Sequence, residues 1–204
     1  MSTPVRRPDA AEPVRDAAVL VGGFVALLWL LEIVDTVLGN RLDAYGVQPR
    51  SDEGLVGVAT APLLHLGFGH LVSNTLPLLV LGFVIALSGI GRALAVAAIV
   101  WVVGGLGTWL VAPAATNHIG ASVLVFGFIT YLVARGFFSR SPGQVAIGVV
   151  VLLVYGGALW GVLPGQPGIS WQGHLFGALG GVVAAALLAP RRTARAPRRT
   201  PEVR

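Results

Sequence analysis

Cysteine is absent from the 204 residues, and so is lysine: all fourteen basic residues are arginine. Without cysteine there are no disulfides and no thiolate metal sites. Charge is scarce too. Only 11% of the residues are charged, against about 25% in a soluble domain, which excludes an ordinary soluble globular chain. No A-x-A-like site follows a short apolar region, so no cleavable signal peptide is expected. No internal repeat is present. What fills the chain instead is apolar: 55% of residues are hydrophobic. They fall in blocks of about 18–22 residues, the length that crosses a bilayer as a helix.

Six such blocks are read: 17–38, 70–88, 93–111, 121–138, 144–162 and a last one from about Ser170 to Ala189. The fold class expected is all-α, a polytopic membrane protein with six transmembrane helices. Residues 1–16, with Pro4, Pro8 and Pro13 among charged residues, are expected to be a disordered tail. Residues 17–189 form the membrane domain, and 190–204 a basic tail. Between spans one and two, the stretch Gly54 to Leu66 is too short to cross, and is expected in the interface or against the bundle. Pro77, inside span two, makes a kink plausible.

The arginines orient the chain. Six spans put both tails on one side, with twelve of the fourteen arginines; only Arg41 and Arg50 fall on the other. The positive-inside rule places both termini in the cytoplasm of a multi-pass cell-membrane protein. This distribution accounts for the net charge of +5 without nucleic acid as a partner. The tryptophans, Trp29, Trp101, Trp109, Trp160 and Trp171, are read mostly as interface anchors.

That topology aligns four polar residues. Spans two, four and six all begin at the outer surface. His70 and Asn74, four apart and so on one helical face, lie in the first turns of span two. Ser122 lies in the first turn of span four, and His174 in that of span six. Each has an ordinary reading alone: Ser122 a helix cap, His174 a packing histidine. Together they share one depth. His174, Gly177 and Gly181 share a face of small residues suited to close packing, and Phe126 lies one turn below Ser122, placed to support a ring. A serine hydroxyl needs a base to become a nucleophile, and a tetrahedral oxyanion needs fixed donors. Ser122 as nucleophile, His174 as base, and the Ser122 amide, His70 and Asn74 as donors supply these. No carboxylate stands at matching depth, so a dyad is expected and not a triad. Glu32 and Asp35 are read as structural residues near the membrane surface. His65 and His118 are read as loop or interfacial residues.

The chain resembles the rhomboid family of intramembrane serine proteases in its minimal six-helix bacterial form. His70-Leu71-Val72-Ser73-Asn74 is similar to the family's H-x-x-x-N, Gly120-Ala121-Ser122 to its G-x-S, and Gly173-His174 with Gly177 and Gly181 to its last-helix motif. The resemblance covers about residues 17–189. It implies a serine endopeptidase with Ser122 and His174 catalytic. His70, Asn74 and the Ser122 amide would form the oxyanion hole. Gly120 is the motif's first glycine, and Phe126 is the aromatic that stacks on the imidazole. It implies single-pass membrane proteins as substrates, cut in or near the outer end of the transmembrane segment, with lipids as surroundings and no metal or cofactor. The chain departs from the family at Val123, where glycine is frequent, and in a first loop without the Trp-Arg pair of some members. Two alternatives remain at this stage: an inactive relative that binds transmembrane helices, and a transporter using His70, His118 and His174. Oligomeric state and substrate identity are not legible.

Overall fold

The computed structural model describes residues 11–190. The expectations for residues 1–10 and for the basic tail from 191 lie outside the described residues. Among the described residues seven α-helices follow in order: α1 Ala11–Val37, α2 Asp52–Thr60, α3 Phe68–Ala86, α4 Ile90–Val111, α5 Ser122–Ser139, α6 Pro142–Tyr155 and α7 Trp171–Leu187. The architecture is all-α. Five segments among the described residues are long and apolar enough to cross a membrane: α1, α3, α4, α5, and α6 together with the tight 3-10 turns of Gly156–Val162. The last, α7, is apolar but has 17 residues, about 25 Å of helix.

Two boundaries differ from the sequence reading by more than three residues. α1 begins at Ala11, so residues 11–16 belong to the helix and not to a tail. The fifth block is not one helix. The chain leaves α6 at the glycine pair Gly156-Gly157 and continues as 3-10 turns to Val162, and that change of geometry proves to matter at the site. α3 runs unbroken through Pro77.

α5 is the centre. In it 61% of the span is buried, against 11–33% in the other four. It packs on α7, α6, α4 and α3. The closest approaches are made by glycine, since lipid offers no hydrophobic drive and helices associate through contact. A methyl on Gly177 would overlap the Val123 carbonyl, and one on Gly181 would overlap the Gly127 carbonyl. Thr130 Oγ1 donates across the same seam to Ala178 O at 2.7 Å. The glycine face foreseen on α7 is thus the face that meets α5.

The loop between α1 and α3 is folded back and stitched down. Val47 and His118 form an antiparallel bridge, with N···O distances of 2.9 and 3.0 Å. Gly120 N–H donates to Ala61 O at 2.9 Å. α2 lies against α4. Trp101 Nε1 donates to Val58 O and Trp109 Nε1 to Ser51 O, at 2.8 and 2.9 Å. These two indoles hold the loop helix and its cap, where the sequence reading had interface anchors. The Arg50 guanidinium donates to Leu110 O and Ala112 O at 3.0 and 2.8 Å, a cation on the carbonyl end of α4 where the helix dipole favours one.

Glu32 and Asp35 are 3% exposed, so they are buried and not solvated at the membrane surface. Asp35 keeps a structural part for a different reason: its Oδ1 accepts from Leu42 N–H at 2.7 Å, closing the turn after α1. Burial, with the neighbouring Asp35 carboxylate, raises the Asp43 carboxyl above its ordinary value.

Candidate active site

The approach to α5 sets Ser122 in place. Gly120 has φ 125°, a conformation side chains other than hydrogen resist. A Cβ there would overlap the His70 ring, with Nε2 at 2.8 Å. Glycine is therefore required twice at this position, for its backbone and for the imidazole lying against it. Ser122 is then the first residue of α5. Its amide belongs to the donors a helix start leaves without intrahelical partners.

α7 brings the histidine. Ser170 caps the helix: its Oγ accepts from Gly173 N–H at 3.3 Å, and its carbonyl from His174 N–H at 3.1 Å. His174 Nε2 lies 2.9 Å from Ser122 Oγ. His174 Nδ1 lies 3.0 Å from Gly161 O. A carbonyl only accepts, so Nδ1 carries the proton and donates to it, leaving the Nε2 lone pair for the serine hydroxyl. The ring is stacked on Phe126, with centroids 3.9 Å apart and planes 11° apart. His174 is held on three sides, and in the tautomer that can accept a proton from serine.

A cavity of about 690 Å³ joins these groups to the bundle surface and is lined by His70, Asn74, His118, Ser122, Phe126 and His174. The six residues singled out in the sequence therefore meet: five line this cavity, and Gly120 sits behind it against His70. Asn74 Nδ2 donates to the backbone carbonyl of His70 at 3.0 Å, so one of its two amide hydrogens is already committed. Val123 does not line the cavity. It points the other way, its Cγ2 filling the notch left by Gly104 and Gly177.

Three contacts had no signal in the sequence reading. The Gly161 carbonyl is a backbone atom in a loop. His65 lies in a loop as expected, but it is 1% exposed and its Nε2 accepts from Ala121 N–H at 3.3 Å. Burial first, then the neighbouring His70, pushes the His65 imidazole down to about 4. His118 lies in a loop as expected, but is tied to Ser170 and Thr116, each at 2.7 Å. The transporter alternative needs free imidazoles at His70, His118 and His174. Two of the three have both ring nitrogens engaged.

An imidazole of fixed tautomer on a serine hydroxyl, inside an all-α multi-pass membrane bundle, is the arrangement a membrane serine peptidase of the dyad type requires. The Rhomboid domain family matches residues 52–191, and the chain belongs to the rhomboid family. It is 52% identical over 194 residues to an uncharacterised protein of Mycobacterium tuberculosis, covering 88% of this chain and 81% of that one. To an uncharacterised protein of Mycobacterium leprae it is 48% identical over 191 residues, 87% and 76% of the two chains. To YdcA of Bacillus subtilis, a rhomboid-protease homologue by name, it is 31% identical over 140 residues, 67% and 68% of the two.

Proposed function

We propose that the chain is an intramembrane endopeptidase that cuts single-pass membrane proteins in or near the outer end of their transmembrane segment. The observation that carries this reading is the 2.9 Å contact of His174 Nε2 with Ser122 Oγ, together with the Gly161 carbonyl on Nδ1. In the reaction, His174 takes the hydroxyl proton as Ser122 Oγ attacks the scissile carbonyl. The carbonyl oxygen becomes an oxyanion at the start of α5, where the Ser122 amide and the helix dipole favour negative charge. His70 and the uncommitted hydrogen of Asn74 serve as further donors. His174 then passes the proton to the leaving amine, and water hydrolyses the acyl-enzyme by the same route. The Gly161 carbonyl stands where a triad has a carboxylate; it fixes the tautomer without adding charge.

The membrane setting completes the proposal. α7 is taken as the sixth span, which puts both termini on one side. The arginine distribution makes that side cytoplasmic, and the cavity then opens near the outer surface, where water reaches it. A peptide bond in a lipid-embedded helix is internally hydrogen-bonded, so the substrate unwinds before attack. Purified protein in liposomes tests this with a single-span reporter. Wild type cleaves it, and Ser122→Ala and His174→Ala do not. Glycine or proline in the reporter helix speeds cleavage relative to a uniform leucine span. Cleavage retained in Ser122→Ala would overturn the assignment.

A further inference from the structure

His118 stands outside the proposed dyad, yet it links the two helix starts that carry it. It lies four residues before Ser122, and its partner Ser170 lies four residues before His174. We propose that His118 is a positioning residue, a cross-brace that sets the separation of Ser122 and His174 from one turn outside them. The inference rests on the dyad reading for its consequence, though not for its geometry.

The hydrogen bonds run in a single consistent direction. Thr116 Oγ1 donates to Pro113 O at 2.7 Å, so it can only accept from His118 Nε2–H, also at 2.7 Å. The Nε2–H tautomer leaves Nδ1 as an acceptor, and Ser170 Oγ–H donates to it at 2.7 Å. Ser170 Oγ accepts in turn from Gly173 N–H. Each donor and acceptor in this chain is used once, and none is charged. Both ends are anchored. The His118 backbone is paired in both directions with Val47, and Ser170 is the cap of α7. Thr116, His118 and Ser170 are half-buried and all three line the cavity. Phe126 and Gly161 orient the His174 ring; the brace sets the distance between the helix starts.

Two readouts test it. Ring-nitrogen NMR of histidine-labelled wild type at neutral pH should show His118 neutral, with the proton on Nε2. A proton on Nδ1, or a charged ring, would overturn the brace whether or not the protein cleaves anything. In the reporter assay, rates are normalised to sites titrated with a fluorophosphonate. His118→Phe should lower kcat about tenfold with KM unchanged. His118→Asn, whose Oδ1 replaces Nδ1, should recover most of the loss. Because Ser170 also caps α7, the comparison is made in its absence: His118→Phe added to Ser170→Ala should lower kcat no further than Ser170→Ala alone. Unchanged kcat with a lowered melting temperature, equal losses in the Asn and Phe variants, or multiplied losses in the double variant would each refute it. An inactive wild type would sink the protease reading instead, and the tautomer would still decide the brace.

Discussion

Val123 follows the serine where the family often has glycine, and its notch makes a sharp prediction. A methyl added at Gly104 would overlap Val123 Cγ2, while the next nearest atoms, in Gly177, lie at 3.5 Å, an ordinary contact. The Val123 methyl is therefore the sole obstacle. Gly104→Ala alone should cost about 1–3 kcal/mol, as overpacking does. Val123→Ala alone should cost on the order of 1 kcal/mol for lost contact, because lipid removes most of the transfer term. In the double variant the new methyl occupies the vacated space. The two effects should then fail to add by about 2 kcal/mol in the favourable direction. Val123 adjoins Ser122, so the strain should also reach the chemistry: kcat falls about tenfold in Gly104→Ala and returns in the double variant. Equilibrium unfolding in mixed micelles, run beside reporter cleavage, measures both. Additivity within about 0.5 kcal/mol, or a double variant as slow as Gly104→Ala, would refute the notch.

Three further outcomes are expected. In Gly161→Ala a Cβ would lie 2.9 Å from Phe126 Cζ and 3.0 Å from His174 Nδ1; kcat should fall at least tenfold with little change in melting temperature, read from cleavage and thermal unfolding together. Gly120→Ala, blocked by φ 125° and by His70, should abolish fluorophosphonate labelling while leaving a folded protein about 1–3 kcal/mol less stable. The His65 imidazole, at about 4 in the fold and about 6.5 when unfolded, makes stability fall with acidity. Between those values the unfolded chain binds more protons, so stability is full above pH 6.5 and declines toward pH 4. The His65 share of that loss should be about 2 kcal/mol between pH 7 and pH 5, and His65→Leu should shrink the pH dependence by about that amount in unfolding curves at the two pH values.

What the sequence made legible was whatever periodicity and side-chain chemistry encode. Apolar block length located the spans, and shared depth picked out His70, Asn74, Ser122 and His174 before any contact was known. The glycine spacing of α7 aimed His174 at α5, because close packing in a membrane needs small residues. Backbone partners were not legible. The Gly161 carbonyl and the Ala121 amide have no side-chain signature, and the 3-10 turns that deliver Gly161 read as more apolar helix. The burial of Glu32 and Asp35 was missed because a carboxylate near a span end is usually solvated; here the folded first loop covers it. Trp101 and Trp109 were misread for a related reason. An indole at a membrane surface and an indole bonded to a loop carbonyl look alike in sequence.

The central claim is that His174 activates Ser122. The most direct test is to treat the purified protein with a fluorophosphonate and map the adduct by mass spectrometry. The account predicts one modified residue, Ser122, with modification lost in His174→Ala and in heat-denatured protein. An adduct on another serine, or undiminished labelling of Ser122 in His174→Ala, would contradict it.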